Sequence, residues 1–424
     1  MGSPQPATRN LATRNARNPQ PQTRNSNNMK KIVLAYSGGL DTSYCIKYLT
    51  HEKGYEVHAL TVDTGGFSDE EIVEMEARAM SLGATSYKRV DVTGAYYKEC
   101  IRYLVYGNCL RYQTYPMSVS AERMFQAMSV ARYAVEIDAD GVAHGSTGAG
   151  NDQVRFDLAF ELSGKELEII TPIRDMQLSR QEEVDYLAKH GLAWPEKKGT
   201  YSINAGLWGT SVGGAETLTS HKSLPEDAWP VPVTETEARD IDLNFIEGEF
   251  IGFDGKTFGS QVEAIKALEV VAAPFGIGRD IHVGDTIIGI KGRVGFAAAA
   301  AVLIIKGHHL LEKHTLAKWQ LFWKEQLSNW YGMMLHEGQF LDPVMRDVEA
   351  FMESSQDTVN GSVHITLHPH RYSLNGITSP NDLLGAGFGA YGEMNKGWSG
   401  DDVRGFTKIL SVPGRIRNAV NKKS

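Results

Sequence analysis

Ile32-Val33-Leu34-Ala35-Tyr36-Ser37-Gly38-Gly39-Leu40-Asp41-Thr42-Ser43 decides how this chain is read. An apolar run stops at Ser37-Gly38-Gly39, and a helical pattern opens near Asp41. The first N–H groups of a helix have no partner inside it, and the helix dipole adds partial positive charge there. Gly38 and Gly39 let the backbone approach an anion closely. Ser37, Thr42 and Ser43 add hydroxyl donors. The natural guest is a phosphate or pyrophosphate. The loop is not of the Walker type, because the Gly-Lys-Ser/Thr ending is missing.

Working outward, residues 30–190 alternate apolar strands with helical stretches. Strands are expected at Lys31–Tyr36, Val57–Val62, Ser86–Val90, Gly141–His144 and Leu167–Thr171. Helices are expected at 41–51, 119–138 and 152–162. Ser68 with Glu71 and Ser179 with Glu182 form capping boxes, closed by Gly83 and Gly191. Repeated βα units predict a parallel sheet covered on both faces, with ligands at the carboxyl ends of its strands. Beyond about residue 195 the rhythm becomes α+β. Asp254-Gly255 signals a hairpin. Gly-rich strands are expected through 305, a long helix over 308–336, and a helix opened by Asp342-Pro343. Residues 361–373 alternate as an antiparallel strand would. The tail reads as helical over 403–418, until Pro413.

The bulk numbers narrow the class. The chain has 424 residues, 42% hydrophobic content and a net charge of −8, which does not favour a general nucleic-acid surface. Its longest apolar run, Phe296–Ile305, is too short to span a bilayer. Cys45, Cys100 and Cys109 form no disulfide or metal spacing, and a reducing cytoplasm is expected. The first 28 residues repeat Ala-Thr-Arg-Asn and hold no aromatic or acidic residue. They are expected to be a disordered extension whose deletion changes neither melting nor activity. A transit peptide ranks second, because no amphipathic apolar face is present.

A second motif is His144-Gly145-Ser146-Thr147-Gly148-Ala149-Gly150-Asn151-Asp152-Gln153-Val154-Arg155-Phe156. A strand ends, glycines turn the chain, and a helix starts at Asn151 or Asp152. With the first motif it places two helix N-termini, hydroxyls, a carboxylate and an arginine at one sheet edge. The bland alternative for Arg155 is a solvated helix charge.

The first motif resembles the pyrophosphate loop of the ATP pyrophosphatases. AYSGGLDTS, HGSTGAGNDQVRF and TYSINAGLWGTS, in that order, resemble the argininosuccinate synthase family over essentially everything after Met29. The resemblance implies an adenine nucleotide α-hydrolase-like ATP domain over 29–190. It implies a synthetase and multimerisation domain over 191–400, a helical tail over 401–424, and a homotetramer. The implied reaction joins citrulline and aspartate at the expense of ATP, through a citrullyl-adenylate, releasing AMP and PPi as a step of arginine biosynthesis. Mg²⁺ is implied only as the partner of ATP, and no dedicated metal site is expected.

The same resemblance assigns residues. Ala35, Tyr36, Ser37, Gly38, Gly39, Leu40, Asp41, Thr42 and Ser43 hold ATP, with Val62 by the adenosine and Gly145 and Thr147 near the nucleotide. Thr147, Asn151 and Asp152 match aspartate positions. Asn151, Arg155, Tyr112, Ser118, Ser202 and Ser211 match citrulline positions, with Ser120 the alternative to Ser118. Asp41, Thr147 and Asp152 are the candidates for direct participation in the chemistry. Gly284 and Phe296 stand where the family has a glutamate and a tyrosine. Asp285 is the expected substitute, holding the citrulline amino-acid end together with Ser202 and Ser211. The bland alternative is a surface turn residue.

Other readings are weaker. A tRNA-thiolating enzyme needs paired cysteines, and a glutamine-fed synthetase needs an ammonia-source domain. A non-catalytic nucleotide sensor needs no second-substrate residues such as Asn151, Asp152 and Arg155. His308, His309 and His314 lack the i, i+4 zinc spacing. Trp319, Phe322, Trp323 and Trp330 follow helical spacing, which suggests packing or a subunit interface.

Overall fold

The computed structural model describes residues 29–194, 201–388 and 397–422. The expectation for residues 1–28 lies outside them. The first half is built on a five-stranded parallel sheet: β1 (Lys31–Ala35), β2 (Glu56–Asp63), β3 (Ser86–Asp91), β4 (Gly141–Ala143) and β5 (Glu168–Ile170). Their spatial order is β3-β2-β1-β4-β5. Ile32, Val33 and Leu34 are fully buried, as expected for a strand covered on both faces. The chain steps outward from β1 to β2 and β3, then crosses back to lay β4 along the other side of β1. This reversal opens a crevice at the carboxyl ends of β1 and β4, the usual ligand position in such sheets. The Ser-Gly-Gly loop leaves β1 there, and the second Gly-rich loop leaves β4. Both capping boxes form.

The second half adds two antiparallel sheets. One is ordered β11-β12-β7-β6, from β6 (Ser202–Gly206), β7 (Gly209–Gly213), β11 (Arg279–Asp285) and β12 (Lys291–Ala297). The other is ordered β10-β9-β8-β13-β14, from β8 (Arg239–Ile246), β9 (Glu249–Phe253), β10 (Lys256–Thr257), β13 (Gly361–His368) and β14 (Arg371–Thr378). The β6–β7 hairpin reaches into the first half. Leu207 N–H donates to Thr64 O at 2.8 Å, and the buried Trp208 Nε1 donates to Pro116 O at 3.1 Å. One hydrophobic core runs through both halves, from Val33 and Leu60 to Val363 and Leu367.

Three expectations are corrected. Residues through 305 are not all strand, because Ala299–Thr315 is a helix. Alanine is the strongest helix former, and the run Ala297–Val302 is apolar on every side because the helix is buried. The expected long helix over 308–336 breaks at Leu316–Ala317, where backbone turns extended before Lys318–His336 begins. The tail continues past Pro413 as Val412–Asn421. The proline sits in that helix's first turn, where its missing N–H costs nothing.

Buried polar groups join the halves. Lys324 Nζ donates to Tyr106 O and pairs with Glu312. Asn108 Nδ2 donates to Glu312, and His308 bridges Asn108 and Gln356 at 2.7 and 2.9 Å. Burial first, then the nearby Lys324 charge, holds the His308 imidazole neutral, at about 4, although Glu312 opposes this. The aromatic residues Trp319, Phe322, Trp323 and Trp330 are exposed, so packing within this chain is not their role. The tail helices Gly400–Leu410 and Val412–Asn421 bury no residue and expose Phe406, Ile409, Leu410 and Ile416. Among the described residues no helix is long and apolar enough to cross a membrane.

Candidate functional site

The two loops meet. Gly38 has φ +71°, and a Cβ there would stand 2.7 Å from Met75 Cγ, so the turn requires glycine. Arg78 Nη1 donates to Gly38 O at 2.6 Å, and Ser37 Oγ lies 3.3 Å from Thr42 Oγ1. Gly145 lies against the start of the Leu40–His51 helix. A Cβ there would be 3.1 Å from Asp41 Cβ and 3.2 Å from Thr42 Cγ2. Val62 ends near the same edge, on β2. Behind Asp41, the buried Glu183 carboxyl is pushed above the usual range, first by burial and then by the Asp41 charge.

His144 stiffens the second loop. Its Nδ1 accepts from Ser146 N–H at 3.1 Å, which places the ring proton on Nε2, 3.0 Å from Asp157. Gln153 Nε2 donates to Gly148 O and Gly150 O. Thr147 is exposed at the loop tip. Asn151 Oδ1 accepts from Ile287 N–H at 2.8 Å, in the β11–β12 turn. Asp152 takes Arg123 Nε at 3.0 Å on one oxygen and Arg155 Nη1 at 2.9 Å on the other. Burial opposes its charge, but Arg123 and Arg155 outweigh it and hold its carboxyl below the usual range.

Several groups here went unread in the sequence. Arg123 also reaches Glu122, Gln126 and Asn204. Glu122 accepts from Thr64 Oγ1 at 3.0 Å. Adjacent charges amid the apolar run Met124-Phe125 were the available signal for a buried pair. Tyr115 is buried and packs against Phe296 and His282, at 5.3 and 4.8 Å between ring centroids, and its hydroxyl accepts from Val119 N–H. Tyr112 is 58% exposed and also stacks on His282. Ser118 Oγ is buried beside Tyr115 without a well-formed hydrogen bond, whereas Ser120 Oγ donates to Met117 O. Arg155 is a buried residue and not a solvated helix charge.

The expected grouping of Asp285 with Ser202 and Ser211 does not form. Ser211 lies across from Phe296, which lies across from Asp280. Asp285 is five residues further along β11, roughly 16 Å at about 3.3 Å per residue. It pairs with Lys291 at 2.6 Å at the exposed end of the hairpin. Ser202 is exposed on the edge strand β6.

Burial pushes the Glu122 carboxyl up to about 7, although Arg123 and Thr64 favour its charge. A carboxyl with a raised folded value holds its proton more tightly when folded. Its stabilising effect is therefore complete below the unfolded value of 4.5 and is lost as pH rises through 7. The full effect is about 3 kcal/mol. Glu122→Gln cannot titrate, so its unfolding free energy should exceed that of the native chain progressively between pH 5 and pH 8. Parallel pH dependences in urea melts would refute this.

A parallel sheet with two Gly-rich loops at its reversal point, next to clustered arginine and carboxylate groups, is the layout of an α/β domain of the adenine-nucleotide-binding type. The family model described as "Arginosuccinate synthase N-terminal HUP domain" matches residues 31–193, and "Arginosuccinate synthase C-terminal domain" matches 201–417. An argininosuccinate synthase of Xanthomonas campestris pv. campestris is 36% identical over 406 residues, covering 93% of this chain and 99% of its own. One of Methanocaldococcus jannaschii is 36% identical, covering 84% and 90%. One of Staphylococcus aureus is 33% identical, covering 92% and 98%. The chain belongs to the argininosuccinate synthase family.

Proposed function

We propose that this protein is a carbon–nitrogen ligase that condenses citrulline with aspartate, converting ATP to AMP and PPi. The observation that carries this is the seating of Gly145 against Asp41 and Thr42. It sets the loop assigned to the second substrate directly beside the loop assigned to the phosphates. The β and γ phosphates are assigned to the N–H groups and hydroxyls of residues 37–43, with Mg²⁺ arriving on ATP. The α-phosphate then faces the crevice between β1 and β4. The ureido oxygen attacks it: an O–P bond forms, the bond to the β-phosphate's bridging oxygen breaks, and PPi leaves. The aspartate amine next attacks the activated ureido carbon, a C–N bond forms, the C–O bond to AMP breaks, and AMP leaves. Positioning and charge supply most of the acceleration. Arg123 places positive charge near Asp152, the group assigned to the aspartate ammonium. Thr147 and Asn151 belong to the same assignment. Ser118, with its free hydroxyl, is favoured over Ser120 for the ureido substrate.

A homotetramer in the cytoplasm completes the reading, supported by the apolar faces of the tail helices and of Lys318–His336. The test is PPi release from ATP with citrulline and aspartate added singly and together. AMP and PPi should form in full only with both. Release of ADP and phosphate would overturn attack at the α-phosphate.

A further inference from the structure

Two helices of the first half end at the same place. The Leu40–His51 helix opens at the Ser-Gly-Gly loop, and the Arg180–Lys189 helix packs beside it. Near their starts Glu183 meets Asp41, and further along the Tyr44 and Tyr186 rings lie 4.8 Å apart. The helices therefore run in the same direction, and their carboxyl ends arrive together. His51 is the last residue of the first helix, and Glu52 and His190 cap the two ends. The His51 and His190 rings stand edge to face at 4.5 Å between centroids. One ligand atom from each of His51, Glu52 and His190 lies within 4.8 Å of the other two, and among the described residues no other trio of His, Cys, Asp or Glu comes so close.

A helix carboxyl end carries partial negative charge on carbonyls that have no partner in the helix. Two such ends, a carboxylate and two imidazoles together suit a cation. Two His and one Glu form a zinc donor set, with the fourth position left to water. Imidazole nitrogen favours Zn²⁺, Ni²⁺ or Cu²⁺ over Mg²⁺ and Ca²⁺, which take oxygen ligands. The carboxylate is already oriented, because Tyr186 Oη donates to Glu52 Oε1 at 3.1 Å. Outer hydrogen bonds of this kind hold a ligating carboxylate in place. A tetrahedral ion with ligands at about 2.0–2.1 Å needs them about 3.4 Å apart, so the side chains must close by a little over an ångström. His51 and Glu52 are exposed and His190 is half-buried, so this shift displaces no core residue.

We propose that His51, Glu52 and His190 bind one borderline-soft divalent cation, Zn²⁺ above all, which ties the carboxyl ends of these helices together. The site is separate from the crevice. The first helix has 12 residues, which puts His51 about 16 Å along the axis from Leu40 at about 1.5 Å per residue. The ion fastens the far ends of two helices whose near ends meet at Asp41. It acts on stability and touches no reacting group.

The experiment is calorimetric titration of the chelator-treated full chain with Zn²⁺ and with Mg²⁺, followed by thermal melting. The native chain should bind one tight equivalent of Zn²⁺, and its melting temperature should rise with Zn²⁺ concentration. The three cysteines are buried and do not compete. An outer-shell partner is worth about 10–100-fold in metal affinity, so Tyr186→Phe should weaken Zn²⁺ about tenfold or more. His51→Ala and His190→Ala should each weaken it further and remove the melting rise. Co²⁺ in place of Zn²⁺ should give a visible absorption that changes in Glu52→Gln. All four side chains lie at or near the surface, so the variants should melt like the native chain in chelator, and lost affinity then reports a lost ligand. Zn²⁺ affinity unchanged in His51→Ala or His190→Ala, or displacement of Zn²⁺ by Mg²⁺ at equal concentration, overturns the proposal.

Discussion

Gly39→Val should abolish ATP-dependent turnover, by at least about a thousandfold or 4 kcal/mol in the barrier, and leave the fold intact. Gly39 has φ −76° and ψ 175°, ordinary extended backbone for valine. The nearest atom to an added Cβ is Ser37 Oγ at 3.3 Å, so nothing in the protein core is displaced. The extra methyl groups instead fill the space in front of the Leu40–His51 helix, where phosphates would meet its free N–H groups. The contrast with Gly38 is instructive, because a side chain there would strike Met75 and damage the loop itself. Asp41→Ala should also stop ATP use in a folded protein. PPi release and thermal melting, measured on the same preparation, check both variants. Native turnover in a folded Gly39→Val protein would remove the phosphates from this loop.

Lys324→Met should destabilise the chain by about 3–5 kcal/mol, because it leaves the Glu312 carboxylate buried without its cation. Lys324 and Glu312 are both essentially inaccessible. Burial lowers the lysine value and Glu312 opposes that, so the pair holds its charge only as a pair. The double variant Lys324→Met/Glu312→Leu should recover part of the loss, since no unpaired charge stays buried, although Asn108 Nδ2 and Tyr106 O lose their partners. Urea melts of the single and double variants measure this. A single variant as stable as the native chain would show that the network does not join the halves.

The strand, Gly-rich turn and helix start over 32–43 were legible because their signals are local: an apolar run, two glycines, three hydroxyls and a helical pattern, all within twelve residues. The capping boxes and the Asp342-Pro343 helix start were legible for the same reason. What stayed hidden depends on pairings distant in sequence. Nothing local says that Ala299–Thr315 is a buried helix, since a short all-apolar run fits strand and buried helix alike. Asp285 looked close to Ser211 only because both belong to strands of one sheet, and the register places them apart. Tyr112 drew attention ahead of Tyr115, yet the buried member of the pair is Tyr115. The Glu122–Arg123 pair and the capture of Arg155 by a backbone carbonyl arise only when separate elements meet.

The strand order also bears on how the chain is made. Ile32 pairs with Gly141, more than a hundred residues later. As the chain leaves the ribosome, β1 can align with β2 and β3 at once, but its other edge stays unpaired until β4 arrives. Such an edge is a template for association with another nascent chain. The crevice between β1 and β4 is therefore among the last parts of the first half to close. Slow closure of distant parallel pairs is intrinsic to this topology. Nucleotide present during refolding should then act as a clamp on the finished crevice, not as a seed for it.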